Sequence, residues 1–223
     1  GNFGSDVPVN GSLTASASSI LVNDDLRIGG SGATASVTMD STDFTVGDDI
    51  IVGYNDSIYD DDNSASYTSS LTSTGSLTVG NGSSLDGDLL TVGETKGSEG
   101  SATVDGSNLA LRGILVAAQR ADENEASVLI QGARGTLEVT NSTVDLYNGD
   151  SDIGQLQVGQ TNGAVGAATF NSSTINGIRY LEVGGDRNPD YSIGGSGTVT
   201  FNDTSVTQRS SLTLDQYQTF NAV

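Results

Sequence analysis

The chain has 223 residues, with 28 acidic side chains against 8 basic ones and a formal net charge of −20, so nucleic acid phosphates and an anionic membrane surface would both repel it. It contains no Cys and no His, which removes disulfides, thiol chemistry and the usual transition-metal ligands, and no apolar run approaches the ~18 residues of a spanning helix. Asp outnumbers Glu 22 to 6, Lys96 is the single lysine, and 30 glycines accompany only 2 prolines, a balance that favours short strands and tight turns over helices.

The first residues, from Gly1, carry neither an initiating Met nor a secretory leader, and read as a mature or trimmed chain. From Leu13 a block begins that recurs along the chain: Leu13 to Gly29, Val37 to Gly53, Leu77 to Gly93, Ala102 to Ala117, Leu137 to Gly159, Ala168 to Gly184 and Val199 to Asp215. Most copies are 17 residues long, the fourth is one residue shorter and the fifth six longer. Each block opens with an alternating apolar pair, from Leu13/Ala15 through Leu77/Val79 to Val199/Phe201. A second pair follows as Ile20/Val22, Phe44/Val46, Leu109/Leu111 and Val144/Leu146, and fades in the other copies. A third closes the block, from Leu26/Ile28 through Leu90/Val92 and Leu181/Val183 to Leu212/Leu214.

Apolar residues two apart lie on one face of a strand. Three such strands per block predict an all-β, single-domain right-handed parallel β-helix (a β-solenoid) of about seven three-strand coils, spanning residues 1–223. One coil cannot bury its inward row alone, but stacked coils bury a continuous column. Leu90, Val92, Leu181 and Val183 are therefore expected to point inward and to be buried. An aligned β-sandwich is the rival architecture, yet sandwiches do not repeat sequence at a fixed block length.

The segments Gly75-Ser-Leu-Thr-Val-Gly80, Leu90-Thr-Val-Gly93 and Gly100-Ser-Ala-Thr-Val-Asp-Gly-Ser107 resemble the repeats of autotransporter (type V secretion) passengers. They are equally similar to the β-strand repeats of exported bacterial proteins with C-terminal sorting signals. The resemblance spans nearly the whole chain. It implies a β-helix and an exported bacterial protein, extracellular or on the cell surface, and no particular activity.

The connections between blocks divide into two lengths. After Gly29, Gly93 and Gly159 there are 7, 8 and 8 residues, whereas 23 follow Gly53, 19 follow Ala117 and 14 follow Gly184. The long loops 54–76, 118–136 and 185–198 all leave the same corner, and insertion-bearing faces of solenoids are often binding faces. Tyr54, Tyr59 and Tyr67, then Arg120 and Arg134, then Arg187 and Tyr191 are the candidate partner-binding residues, since Tyr and Arg dominate interface hot spots. The partner they imply is a surface glycan or a protein receptor. The plainer reading is that corners tolerate insertions. Ser127 to Gln131 reads as an extra strand inside the second loop.

Two acidic loops alternate oxygen ligands: Asn148, Asp150 and Asp152, then Asp186, Asn188 and Asp190. Calcium takes six to eight hard oxygens, and alternate positions on a curled loop can converge on one ion, which makes these six the candidate calcium ligands. Asp60, Asp61 and Asp62 form a third cluster. A solvated acidic surface is the alternative for all three.

The outward positions of the first strands read Ser12/Thr14, Ser36/Thr38, Ser76/Thr78, Ser101/Thr103, Thr136/Glu138, Ala167/Thr169 and Thr198/Thr200. Flat hydroxyl rows of this kind serve ice recognition in some solenoids, although Thr is also favoured on solvated strands. A glycan-active β-helix enzyme is a second alternative, with Asp86 and Asp88 as the nearest thing to a carboxylate pair; neither a catalytic set nor an organic cofactor is expected. The sequons at Asn141 and Asn171 read as turn chemistry. Neither end looks like an amphipathic cap, and uncovered strand edges invite pairing with another chain. Taken together, the residues describe an exported structural or adhesive solenoid that binds through corner loops and either assembles end to end into a filament or is cut from a longer solenoid.

Overall fold

The computed structural model describes residues 10–30, 32–54, 72–94, 97–117, 132–146, 154–160, 163–184 and 195–213, and the main chain alone for 208–213. The first repeat supplies β1 (Gly11–Ser16), β2 (Ser19–Val22) and β3 (Leu26–Ile28). The second supplies β4 (Thr34–Asp40), β5 (Asp43–Val46) and β6 (Ile50–Val52), and the third β7 (Ser73–Gly80), β8 (Ser84–Asp86) and β9 (Leu89–Val92). Next come β10 (Ser98–Asp105), β11 (Asn108–Ala110) and β12 (Gly113–Val116), then β13 (Arg134–Thr140), β14 (Thr143–Asp145) and β15 (Gln155–Val158). The last elements are β16 (Val165–Asn171), β17 (Thr174–Val183), β18 (Ser196–Asn202) and β19 (Ser205–Thr213).

All pairings are parallel, and strands that follow one another in sequence are never neighbours until the chain returns one repeat later. The opening strands stack as one sheet in the order β1-β4-β7-β10-β13-β16-β18. The second and third strands form the other sheet, in the order β2-β5-β8-β11-β14-β17-β15-β12-β9-β6-β3, which doubles back through the long β17. This is an all-β fold of stacked parallel sheets, the architecture of a β-solenoid. No helix among the described residues is long and apolar enough to cross a membrane.

Register explains why the blocks align. Leu13, Val37, Leu77, Ala102, Leu137, Ala168 and Val199 form one column, and Ile28, Val52, Val92, Val116, Val158 and Val183 another. The inward rows merge into one continuous apolar core running from Ile28 to Val183. Leu90, Val92, Leu181 and Val183 are all buried in it, as expected.

Each first strand ends in a left-handed residue, from Ala17 (φ 46°) through Ser41, Asn81, Gly106, Asn141 and Ser172 to Asp203 (φ 47°). A Ser or Thr then turns inward and closes the corner with its hydroxyl. Ser142 donates its Oγ to the Thr140 carbonyl (2.6 Å) and accepts the Ser107 N–H (3.1 Å); its own N–H goes to Ser173 Oγ (3.2 Å). The sequons at Asn141 and Asn171 sit at this corner, where Ser142 directly after Asn141 and Ser173 two residues after Asn171 are buried members of the hydroxyl ladder.

The structure departs from the sequence expectations in four places. Leu13 is 42% exposed where its column neighbour Val37 is 6%, because β1 is an edge strand with a neighbour on one side only. The first strands start earlier than the blocks, so Ser73, Arg134 and Ser196 belong to strands rather than to the loops 54–76, 118–136 and 185–198. In the third repeat the faded second pair is Leu85 and Gly87, and Ile50 fills the gap: a Cβ on Gly87 would lie 2.7 Å from its Cδ1. In the last repeat, bulges against β17 shift the register and pair Thr213 with Tyr180, so Leu212 does not lie opposite Leu181.

Candidate functional site

The corner from which the long connections depart is closed by backbone alone. Gly29, Gly53, Gly93, Gly159 and Gly184 have φ between 64 and 74°, and Ala117 takes the same position at 49°. A Cβ on Gly53 would stand 2.4 Å from the Glu99 carbonyl oxygen, and one on Gly100 would stand 2.3 Å from the Gly93 nitrogen. The positive φ and the close approach favour glycine at Gly53, and the close approach alone favours it at Gly100, although Ala117 shows that the corner position can hold a methyl group. Residues 54–72, 118–133 and 185–195 separate this corner from β7, β13 and β18.

Two of the candidate partner-binding residues are described here. Tyr54 folds back on the first repeat: its N–H donates to the Gly29 carbonyl at 3.0 Å. Its ring covers Gly30, where a Cβ would lie 2.3 Å from the ring's Cζ, and the Arg27 guanidinium sits 5.6 Å from the ring centroid. That cation–π contact is worth about 0.5–1 kcal/mol at such a site. Arg134 is not a loop residue but the exposed first residue of β13, in register between Glu99 and Val165. Tyr59, Tyr67, Arg120, Arg187 and Tyr191 lie outside the described residues. So do Asn148, Asp150, Asp152, Asp186, Asn188 and Asp190, along with the cluster at Asp60 to Asp62 and the segment from Ser127 to Gln131.

A different acidic group is assembled at the turn between the second and third strands. Carboxylate oxygens of Asp24, Asp25 and Asp48 all lie within 4.8 Å of one another, and so do those of Asp48, Asp49 and Asp88. The side chains also stitch the repeats together: Asp25 Oδ1 accepts the Asp49 N–H at 3.2 Å, and Asp49 Oδ1 accepts the Leu89 N–H at 3.3 Å. Arginines bracket the group, with Arg27 on Asp25 and Arg112 on Asp88, each at 2.9 Å. Each triad offers three of the six to eight oxygens that calcium takes, at spacings a single coordination shell can span. The signal was present in the sequence, since Asp24, Asp48 and Asp88 occupy the same offset in the first three blocks. It appears only when turns, rather than apolar runs, are superposed.

The pair Asp86 and Asp88 does not share a setting. Asp86 lies on β8 in register with Thr45 and Ala110, whereas Asp88 sits in the turn and is engaged by Arg112. On the third-strand face the outward residues Ile51, Thr91, Leu115 and Gln157 are buried along with the inward ones. There Glu182 Oε2 accepts amide protons from Gln157, at 2.8 Å, and from Gln160. Alternation in the third runs had concealed this second buried layer.

The opening sheet carries the hydroxyl rows in strict register. Ser12, Ser36, Ser76, Ser101, Thr136, Ala167 and Thr198 form one row; Thr14, Thr38, Thr78, Thr103, Glu138, Thr169 and Thr200 form the other. Comparison with family models, curated proteins and solved structures finds no significant match for this chain.

Proposed function

We propose that this chain is an exported bacterial surface or extracellular solenoid, a structural or adhesive rod. In this reading it is a right-handed β-helix of seven three-strand coils, about 34 Å long at 4.8 Å per coil, related to autotransporter passenger or sorting-signal-associated repeats. The observation that carries it is the sorting of connections. The three longest insertions leave at one corner, after Gly53, Ala117 and Gly184. A shorter one lies between the second and third strands of the fifth repeat, and the corner between first and second strands is sealed by buried hydroxyls. A stiff stack with variable segments on one edge suits contact with a surface glycan or a protein receptor better than it suits catalysis. The test is to replace the three long connections with the eight-residue connection that follows Gly93, and to compare parent and variant on glycan and extracellular-protein arrays. At least tenfold weaker binding with an unchanged melting temperature supports the reading. Equal binding by the loop-free variant overturns it.

A second reading is favoured by the registered hydroxyl rows, which offer ice a flat lattice spaced about 4.8 Å between strands and about 6.8 Å along them. Glu138 and Ala167 interrupt the rows. Thermal hysteresis that rises with protein concentration supports this reading; coincident freezing and melting points reject it.

A further inference from the structure

Building on the solenoid reading, we propose that copies of this chain stack head to tail, the β18–β19 end of one against the β1–β2 end of the next, with the strand register continued across the join. The two ends carry complementary hydrogen-bonding groups. At five of the six steps the N–H of the left-handed corner residue donates to a carbonyl of the following repeat, Ala17 to Asp40, Ser41 to Gly80, Gly106 to Thr140, Asn141 to Asn171 and Ser172 to Asn202, and at the third the Gly82 N–H beside Asn81 donates to Gly106. The next donor in this series is the Asp203 N–H, which has no acceptor among the described residues. The hydroxyl ladder has the same polarity, since the N–H groups of Ser107, Ser142 and Ser173 donate to the Oγ of Ser142, Ser173 and Thr204. Among the described residues it leaves the Thr204 N–H as the unused donor at one end and Ser18 Oγ as the unused acceptor at the other. In the reverse sense Asp43 donates to the Ser18 carbonyl and Ser205 to the Ser173 carbonyl; the equivalent pair across a join is the Ser19 N–H and the Thr204 carbonyl.

Side chains fit the same register. The join sets Val199 beside Leu13 and Phe201 beside Ala15, bringing the largest residue of that inward column against its smallest. Phe201 already stacks on Phe170 at 5.4 Å between centroids. Both ends leave core positions open: Leu13 is 42% exposed and Val206 43%, whereas Ile175, the neighbour of Val206, is 1%. Natural edge strands are usually guarded by charge. In a chain of net charge −20, no strand at either end carries a carboxylate, and the charges they do carry are Arg27 on β3 and Arg209 on β19. A heterologous contact of this kind does not close on itself and propagates as a filament.

The chain has no cysteine, so crosslinking reads out the register without background. Thr14→Cys with Thr200→Cys places thiols on directly opposed outward positions of the join, within disulfide reach. Thr14→Cys with Ser196→Cys is out of register by four residues, or about 13 Å. Within one chain the opposed pair is separated by the length of the stack and cannot close. Mild oxidation of the full chain is expected to give a ladder of disulfide-linked oligomers from the first pair, at least tenfold above the second. Leu13→Asp in the first pair is expected to abolish the ladder while leaving the monomer's melting curve in place. A monodisperse monomer at millimolar concentration, or equal crosslinking of both pairs, overturns the proposal. Either result leaves the loop-replacement test untouched, because a monomer displays the same corner.

Discussion

Val92 stands at the centre of the stack, with Val52 on one side and Val116 on the other, and all three are fully buried. Val92→Asp removes an apolar side chain worth about 1.5–3 kcal/mol of burial and puts a carboxylate where no donor faces it. The carboxylate must either stay ionised without a partner or take up a proton, and both are costly. The expected loss is about 3–5 kcal/mol, a large part of the ~5–15 kcal/mol that holds a typical domain folded. Urea denaturation followed by far-UV circular dichroism measures it, with Thr78→Asp as the control. Thr78 lies on the exposed face between Thr38 and Thr103, and its substitution is expected to cost no more than about 0.5 kcal/mol. Equal midpoints for the two variants would refute the inward assignment and with it the register of the whole core.

Gly93→Ala puts a Cβ 2.1 Å from the Arg134 carbonyl oxygen at φ +73° and is expected to cost about 1–3 kcal/mol, read from the same urea midpoint; no change would mean the corner is looser than described. Ser142→Ala removes the acceptor of the Ser107 N–H and leaves that donor buried, an expected loss of about 1–3 kcal/mol, with faster amide exchange at Ser107 as the local signature. Asp48→Asn relieves like-charge contact with Asp24, Asp25, Asp49 and Asp88. In chelator at low salt it should raise the melting temperature by about 2 °C, and the gain should vanish near 1 M salt, where the Debye length is ~3 Å.

The fold was legible because each repeat solves the same problem with the same positions. Leu77/Val79 and Leu90/Val92 mark inward rows wherever they recur, and the glycine after the third strand marks the corner. What escaped the pattern depends on neighbours rather than on position. Leu13 matches its column in type but not in burial, since burial there requires a strand on the other side. Gly87 looks like a missing core residue until Ile50 is seen to fill the space. The shift that pairs Thr213 with Tyr180 arises from bulges, which no apolar alternation announces. The acidic turn is hidden for a related reason: its carboxylates form no long run along the chain, because the solenoid gathers them from separate repeats.

That gathering also separates stability from recognition. Inward columns and corner hydroxyls interact with both neighbouring repeats, so a change at Val92 or Ser142 is felt at two interfaces. Outward rows such as Thr78 touch their neighbours only at the surface, and the long connections begin beyond the glycine corner. Substitutions in the rows and connections can therefore accumulate at small cost to the stack. The same logic reaches the ends, where β1 and β18 remain uncharged on both their inward and outward faces. Since charges are tolerated at the outward sites of β10 and β13, where Glu99 and Glu138 stand exposed, nothing in strand folding itself forbids them at the ends. An inward charge is different, because at a join it would be buried against the next copy's column. Leu13→Glu, at an inward site 42% exposed in the monomer, is accordingly expected to cost the monomer no more than about 1 kcal/mol, while shifting its sedimentation from polydisperse to monomeric. Unchanged assembly in that variant would show that copies do not meet through this column.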